Sequence, residues 1–257
     1  MERGVSRMMD VVILCGGMGT RIRGVDDQVP KPMIKVGEDP ILVHIMRFYA
    51  SYGHRRFVLC LGYMGDVIRE YFGVQDRGVT REVVHKDRAS GDWNVVLAET
   101  GDASMTGARV SRARMHVTGD DFLLTYGDGV SDVPLPELVR THHAIGSVLT
   151  LTAVRPPARF GEVNFGSDGF ATSFNEKPQA SGGHISGGYF VCTTHIFDYL
   201  SDEDSLVFER QPMQTLVTER RLGVYQHDGF WQCMDTHRDW ELLNDLLREE
   251  KAPWKRW

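Results

Sequence analysis

The stretch that most constrains the fold is Val11–Arg21, where an apolar run breaks into a glycine-rich loop. Its first four residues are apolar and mostly β-branched, which predicts a buried strand. Three glycines among residues 16–19 then end the regular structure and allow a ligand to approach the main chain closely. Successive backbone N–H groups in such a loop can bind an anion, and Thr20 and Arg21 add a hydroxyl group and a planar cation. The loop therefore favours a polyphosphate ligand.

The residue order excludes two other phosphate-binding glycine loops. A dinucleotide fingerprint, GxGxxG, would need a glycine where Ile22 stands, and the string GxxxxGK[ST] does not occur. An ordinary glycine-rich turn remains the alternative. Lys31 argues against that alternative, because Pro30 and Pro32 restrict the backbone on both sides of it. We therefore predict a lysine on a stiffened, non-helical loop beside the glycines.

Composition limits the possible partners and the compartment. The chain has 257 residues, 42% of them hydrophobic and 25% charged, which is typical of one globular α/β unit. Its net charge of −6 argues against nucleic-acid binding. Four cysteines without CxxC spacing suggest reduced thiols. No signal sequence or membrane span is evident, so we expect a cytoplasmic protein with one domain over residues 1–257, of which 1–10 form an N-terminal extension.

Alternating strand and helix patterns imply right-handed parallel crossovers and so predict a doubly wound α/β sheet, mostly parallel and flanked by helices. The predicted strands are Val11–Leu14, Phe57–Leu61, Val79–Val84, Trp93–Leu97, Phe122–Tyr126 and Val148–Val154. The first predicted helix is amphipathic, with Asp39 as its cap and Pro40 at its first position. The other predicted helices are Asp66–Phe72, in which Tyr71 points inward, Pro136–Ile145, Asp198–Leu200, Met213–Glu219 and Trp240–Glu249. Residues from about 156 to 190 are expected to form an antiparallel strand and loop region that covers a second substrate.

Two acids follow apolar, strand-like runs. Asp128 comes after Phe122–Tyr126, and Asp235 ends the run that starts at Phe230. Ligands of open α/β sheets bind beyond the carboxyl ends of strands, so both acids could hold Mg²⁺ if the fold brings them together. An ordinary Asp-Gly turn at Asp128 is the alternative.

Two further segments carry candidate contacts. Small residues before Arg109 predict a second ligand-facing loop over Thr100–Val110, although a surface turn with an exposed arginine fits the composition nearly as well. Glu176 and Lys177 precede a proline and are candidates for hydroxyl and phosphate contacts, or else solvated turn charges.

The motifs GGMGTR, PKPM, YGDG, NEKP and MDT occur in an order that resembles the sugar-1-phosphate nucleotidylyltransferases. The longer stretches PKPMIKVGEDPILVHIM, TGDASMTGARV, LLTYGDGVSD, GFWQCMDT and KAPWKRW are similar to the branch of that family that makes CDP-glucose and pyrophosphate from CTP and glucose 1-phosphate. The similarity extends from Val11 to Trp257.

The resemblance implies a Rossmann-like α/β fold with a mostly parallel mixed sheet, magnesium dependence, and assembly into a homo-oligomer that is often a hexamer. It also implies a role for each matching residue. Arg21, Lys31 and Asp128 would be catalytic, and Asp128 and Asp235 would bind the metal ion. The nucleotide would contact Leu14, Cys15, Gly16, Gly17, Met18, Gly19, Thr20, Arg21, Ser104, Met105, Thr106, Arg109 and Gly127. The sugar phosphate would contact Gly161, Glu176, Lys177 and Ser186.

Two departures from the family pattern keep the acceptor open. Ser186 stands where similar enzymes commonly carry asparagine, and the segment Gly73–Asp92 is shorter than usual. A different sugar 1-phosphate, or another phosphorylated acceptor, is therefore an alternative with CTP retained. A catalytically silent relative that binds sugar nucleotides is a second alternative, although such relatives usually lose the lysine or an acid that this chain keeps.

Overall fold

The computed structural model describes residues 8–17, 28–156, 162–165, 167, 170–175 and 183–257. Its strands are β1 (Val11–Leu14), β2 (Lys35–Val36), β3 (Asp39–Pro40), β4 (Arg56–Leu61), β5 (Arg81–Asp87), β6 (Gly91–Glu99), β7 (Asp121–Tyr126), β8 (Gly129–Ser131), β9 (Leu149–Val154), β10 (Glu162–Phe165), β11 (Ala171–Asn175), β12 (Ile185–Thr193), β13 (Leu222–His227) and β14 (Trp231–Cys233). Its α-helices are α1 (Ile41–Ser51), α2 (Gly65–Tyr71), α3 (Thr106–Ala113), α4 (Leu135–Ile145), α5 (Gln211–Thr218) and α6 (His237–Arg248). Short 3₁₀ helices span Lys31–Met33, Arg114–His116 and Thr194–Tyr199.

Eight of the described strands form one mixed sheet in the order β13-β9-β12-β7-β1-β4-β6-β5. The glycine loop follows β1, which lies between β4 and β7 and runs parallel to both. β12 is antiparallel to β7 and β9, and β5 is antiparallel to β6. The predicted α/β fold with a mixed, mostly parallel sheet is confirmed. β10 and β11 form a separate antiparallel pair within the predicted covering region.

The sheet separates two hydrophobic layers. Side chains of β1 alternate between them, because successive residues of a strand point to opposite faces: Val11 and Ile13 lie in one layer, Val12 and Leu14 in the other. Helices α1, α2, α4 and α6 contribute to the first layer, and α3 and α5 contribute to the second. The carboxyl ends of β1 and β7 therefore emerge at one edge between the two layers, where open α/β sheets bind ligands.

Helix α1 faces the core, as predicted, but every residue from Ile41 to Ala50 is buried. Residues near the C-terminus of the chain cover part of the face that would otherwise be exposed. Trp254 is fully buried there, and its indole N–H donates to His44 Nδ1 at 3.4 Å. Asp39 does not cap the helix, and its carboxylate instead accepts a hydrogen bond from Arg47 Nη1 at 2.5 Å.

Several boundaries and environments differ from the predictions. Lys31 lies in a 3₁₀ turn rather than on a non-helical loop, and the turn is closed by Met33 N donating to Pro30 O at 2.7 Å. The expected loop Thr100–Val110 is half helix, since α3 begins at Thr106. The strand predicted at Val79–Val84 is β5, which extends to Asp87 and forms a hairpin with β6. Residues 198–200 are not α-helical, and Tyr71 is 37% exposed.

Among the described residues, no helix combines the length and the apolar character that a membrane crossing requires.

Candidate active site

The described part of the glycine loop, Cys15–Gly17, is held from both sides at the end of β1. Cys15 N donates to Cys60 O at 3.1 Å, which extends the contact with β4 by one residue. Gly127 N donates to Leu14 O at 3.0 Å, which joins the loop to the end of β7. A Cβ on Gly127 would lie 3.0 Å from Leu14 O and 3.1 Å from Pro32 Cγ, so glycine permits this close approach. The loop, the end of β7 and the Lys31 turn are therefore in direct contact.

Gly16 and Gly17 are glycines for different reasons. A Cβ on Gly16 would lie 2.2 Å from Arg109 Cζ, so this glycine makes room for the guanidinium group. A Cβ on Gly17 would meet nothing within 4 Å. Both residues line a cavity, and the space beside Gly17 leaves the loop backbone accessible to a ligand.

Arg109 is buried on α3, and its donors bind backbone carbonyls that surround the cavity. Nη2 donates to Gly16 O at 3.0 Å and to Asp102 O at 3.3 Å, and Nη1 donates to Leu61 O at 2.6 Å. Nη1 also donates to Thr100 Oγ1 at 2.9 Å. Burial lowers the pKa of Arg109 from its ordinary value, although arginine remains protonated at physiological pH. The exposed surface arginine considered from the sequence is excluded, and the guanidinium fixes the glycine loop against α3.

Lys31 lies between the two acids singled out in the sequence. Its Nζ donates to Asp128 Oδ2 at 2.7 Å and also to Asp235 Oδ1. The lysine side chain is 10% exposed, whereas those of Asp128 and Asp235 are 31% and 22% exposed. Burial acts to lower the pKa of Lys31, but the two carboxylates outweigh it and raise the pKa above the ordinary value. The ammonium group is therefore charged at neutral pH.

A two-stranded ladder brings Asp128 and Asp235 together. β8 follows Asp128 and β14 precedes Asp235, and the antiparallel pairing of these strands places Cys233 opposite Gly129. Met234 N donates to Asp128 O at 2.9 Å beside the ladder. The two acids thus converge on one edge although they are distant in sequence, as the sequence analysis required.

The start of α6 fixes the backbone of Asp235. Thr236 caps this helix in a capping box with Asp239, in which each side chain accepts a hydrogen bond from the other residue's backbone N–H. Asp239 Oδ2 also accepts from Asp235 N at 3.1 Å, and Asp239 Oδ1 accepts from Gln232 Nε2 at 3.0 Å. The carboxylate of Asp239 therefore anchors the turn that presents Asp235 to the cavity.

These groups line a cavity of about 440 Å³. Its described lining residues are Leu14, Gly16, Gly17, Lys31, Pro32, Asp102, Ala103, Ser104, Met105, Thr106, Arg109, Tyr126, Gly127, Asp128 and Asp235. The volume lies within the range of 300 to 1,000 Å³ that is typical of small-molecule sites. Four of these residues were not predicted as site residues: Pro32, Asp102, Ala103 and Tyr126. The motif TGDASM, which contains Asp102 and Ala103, and the motif YGDG, which contains Tyr126, were the signals that could have indicated them.

The hydroxyl groups expected to contact the nucleotide have partners on a distant segment. Ser104 Oγ donates to Asp204 Oδ1 at 2.7 Å, and Thr106 Oγ1 donates to Glu209 Oε2 at 2.7 Å. Met105, between them, is 46% exposed. No sequence pattern had indicated this segment.

Of the four expected sugar-phosphate contacts, only Ser186 is among the described residues, and it does not line this cavity. Ser186 is exposed at the start of β12, opposite Ala153 of β9, and is not among the described lining residues. Two sets of expected contacts lie outside the described residues. They are the sugar-phosphate contacts Gly161, Glu176 and Lys177, and the rest of the glycine loop, Met18, Gly19, Thr20 and Arg21.

The donor set at Lys31 fits a hard divalent cation. Mg²⁺ is commonly bound through one or two carboxylates, with substrate phosphates and water completing its shell. Asp128 and Asp235 supply such a pair, both within hydrogen-bonding distance of a single ammonium group. In the described part of the chain, no group of three or more His, Cys, Asp or Glu side chains could hold a metal ion by itself. The site therefore fits an ion that arrives with a phosphorylated ligand.

Known proteins similar to this chain are nucleotidyl transferases. The nucleotidyl transferase family matches residues 10–241. Glucose-1-phosphate cytidylyltransferase of Salmonella typhimurium is 44% identical over 97% of this chain and 100% of its own length. A probable glucose-1-phosphate cytidylyltransferase of Bacillus subtilis is 36% identical with the same coverage of both chains.

A solved structure shows the same fold at low sequence identity. The UTP-bound UGPase of Acinetobacter baumannii superimposes with a TM-score of 0.67 at 15% identity, covering 95% of this chain and 94% of that chain.

Proposed function

Because this chain belongs to the nucleotidyl transferase family, we propose that it transfers a cytidylyl group from CTP to α-D-glucose 1-phosphate, giving CDP-glucose and pyrophosphate. Two relatives with 44% and 36% identity carry the name of this activity, and both are covered over their full length. The resemblance of the motifs between Val11 and Trp257 supports the same reaction.

The observation that carries the proposal is the position of Lys31. Its ammonium group contacts Asp128 and Asp235 in a cavity that Gly16 and Gly17 of the glycine loop also line. A triphosphate needs both kinds of group, because the backbone N–H donors bind its oxygens and the cation offsets its charge. A silent relative would not need to retain this combination.

Asp128 and Asp235 would hold Mg²⁺ in this reaction. When bound, the ion supplies positive charge that neutralises the phosphate oxygens and the departing pyrophosphate. The remaining steps depend on groups of the chain and of the substrates.

The chemistry needs positioning more than protein proton transfer. An ionised oxygen of the sugar phosphate attacks the α-phosphorus of CTP in line; the new P–O bond forms as the bond from the α-phosphorus to the bridging oxygen breaks, and pyrophosphate leaves with that electron pair. Lys31 and, in our proposal, Arg21 stabilise the charge on the transferred phosphoryl group. The backbone at Gly16 and Gly17 orients the triphosphate.

No protein nucleophile is required. Among the described residues that line the cavity there is neither a histidine nor a cysteine. Burial raises the pKa of the nearby Cys233 thiol to about 12, with Asp235 and Asp128 adding to the effect, so this sulfur is protonated at neutral pH. Burial also raises the pKa of Cys15 well above its ordinary value.

The remaining assignments are part of the proposal. Residues 104–106 and Arg109 form the cytidine end of the cavity, and Gly161, Glu176, Lys177 and Ser186 contact the sugar phosphate when residues 156–190 cover it. The chain acts as one domain in a cytoplasmic homo-oligomer, for which a hexamer is the expectation from the family resemblance.

The direct test is a pyrophosphate-release assay with CTP, glucose 1-phosphate and Mg²⁺, combined with identification of CDP-glucose. We expect release to require all three components. A panel of sugar 1-phosphates tests the acceptor, since Ser186 departs from the family pattern, and a faster reaction with another sugar would correct the assignment. The absence of release with every nucleotide and acceptor would contradict the proposed function.

A further inference from the structure

A segment outside the cavity, Asp202–Glu209, runs along the start of α3 and is here called the bracing segment. Met105 N donates to Asp204 O at 2.8 Å, and Gly107 N donates to Leu206 O at 2.9 Å. A Cβ on Gly107 would lie 2.6 Å from Leu206 Cγ, so glycine permits the close packing. The segment is thus attached to the nucleotide side of the cavity by main-chain hydrogen bonds.

These hydrogen bonds remove a potential phosphate site. The first N–H groups of a helix lack partners within the helix and can bind an anion. Here Met105 N, Gly107 N and Ala108 N donate to carbonyl oxygens of the bracing segment. The start of α3 is therefore not free for the triphosphate, which leaves this end of the cavity for the base or ribose.

Glu209 joins two residues that line the cavity from different elements. Its Oε2 accepts from Thr106 Oγ1 at 2.7 Å, at the start of α3, and its Oε1 accepts from the hydroxyl group of Tyr126, at the end of β7. Glu209 itself is exposed and is not among the described lining residues. It therefore acts on the cavity through the two hydroxyl groups.

The surroundings hold this arrangement in place. Phe208 is fully buried, and Phe208 N donates to Thr106 Oγ1 at 3.0 Å. The Phe190 ring packs edge to face against both Phe208 and Tyr126, with centroids 6.0 and 5.8 Å apart. A Cβ on Gly188 would lie 2.5 Å from Tyr126 Cδ2, so the ring occupies space that a side chain would fill.

The direction of the two hydrogen bonds determines what the hydroxyl groups can offer a ligand. A carboxylate only accepts, so both hydroxyl protons point to Glu209. Burial, with Glu209 adding to it, raises the pKa of Tyr126, which keeps its proton on the oxygen. The oxygen of Tyr126 can then present only lone pairs to the cavity. Such an acceptor suits the exocyclic amino group of cytosine and is poorly matched to the carbonyl oxygen at the same position of uracil.

We propose that Glu209 is a positioning residue that sets the hydrogen-bond polarity of Tyr126 and Thr106 and thereby favours a pyrimidine with an exocyclic amino group. This inference rests on the proposed function, because it concerns which nucleotide the same cavity selects. The motif pattern does not contain Glu209 and gives no physical reason for the choice of base, whereas this inference supplies both.

The test compares kcat/KM for CTP and for UTP in the wild type and in Glu209→Gln. The glutamine amide has one acceptor oxygen and a donating NH₂ group, so it cannot accept from both hydroxyl groups in the same way. We expect the preference for CTP over UTP to fall about tenfold, the effect of one hydrogen bond to the base. The KM for CTP should rise, with a smaller change in kcat, because Glu209 is remote from the reacting phosphates.

A matched control and a second variant make the outcome decisive. Glu203→Gln changes an exposed acid on the same segment that contacts neither Thr106 nor Tyr126, and should keep the wild-type preference. Tyr126→Phe removes the acceptor without altering Glu209, and tests the inference even if Glu209→Gln does not fold. Dissociation constants for CTP and UTP, measured by calorimetry without sugar phosphate, report the same preference independently of turnover.

The outcomes separate this inference from the proposed function. If the wild type prefers CTP and both variants keep that preference, whether or not they are less stable than the wild type, the role of Glu209 is overturned while the proposed function stands. If the wild type neither binds nor turns over CTP, the proposed function fails first.

Discussion

A single ammonium group, that of Lys31, offsets two carboxylates that the fold brings together. Its side chain is only 10% exposed, so solvent screens the three charges weakly. Removing the cation would leave the negative charges of Asp128 and Asp235 uncompensated by Lys31. It would also remove positive charge that stabilises a bound triphosphate. The same cation would compete for these carboxylates with a divalent ion that they would hold.

Lys31→Met keeps the side-chain length and removes the charge. We expect turnover to fall by about 100-fold or more, the usual effect of losing one group that stabilises transition-state charge. Mn²⁺ binding to the nucleotide-free protein should become tighter, because the competing ammonium group is gone. Pyrophosphate release and a metal titration followed by calorimetry measure the two effects. Lys35→Met, at an exposed lysine nearby, is the control, and wild-type turnover in Lys31→Met would remove the lysine from the reaction.

Single residues were predictable where a local pattern exposes their chemistry. Two flanking prolines marked Lys31, and glycines after apolar runs marked the turn at Asp128. The role of Arg109 was not predictable from the sequence. Its guanidinium group binds the carbonyl of Gly16 after β1 and that of Leu61 at the end of β4, and both are distant from Arg109 in sequence. Glu209 carried no sequence signal, since its two partners are hydroxyl groups far away in the chain.

At the scale of elements, the C-terminal segment completes the burial of α1. The Trp254 ring stacks on Phe230 with centroids 5.5 Å apart and meets His44 of α1 edge to face at 6.3 Å. Trp257 lies at the rim, where the Arg47 guanidinium is 5.9 Å from its ring centroid. The two tryptophans therefore differ in burial while belonging to the same segment.

Truncating each tryptophan tests this difference. Trp254→Ala should reduce the free energy of unfolding by about 3–5 kcal/mol, the typical cost of removing a large, fully buried aromatic side chain. Trp257→Ala should cost about 1 kcal/mol or less, since it removes a peripheral cation–π contact. Urea unfolding measures both values. Equal losses of unfolding free energy in the two variants would contradict the larger contribution that the packing assigns to Trp254.

Strands were easier to predict than the surroundings of helices. Apolar runs marked β1, β4 and β7, because central strands of a parallel sheet are buried on both faces. The total burial of α1 could not be read from its own sequence, because the covering tryptophans come about 200 residues later. The pairing of β8 with β14 also escaped prediction, since both are three-residue strands whose register is set by the rest of the fold.

At the scale of the whole molecule, the site depends on long-range convergence. Lys31 and Asp235 are 204 residues apart in sequence and share an ion pair. The β8–β14 ladder and the capping box of α6 produce that contact. Family resemblance implied that the two acids act together, whereas the arrangement that joins them is visible only in the fold.

The most direct test of this convergence is the Mg²⁺ dependence of pyrophosphate release in Asp235→Asn, with Asp128→Asn as its companion. Each substitution keeps the shape of the side chain and removes one negative charge. We predict that each lowers turnover by about 100-fold or more across the Mg²⁺ titration, with little change in the free energy of unfolding. Asp198→Asn, at an acid 66% exposed on the surface, should behave as the wild type. Wild-type rates in Asp235→Asn at every Mg²⁺ concentration would contradict the account.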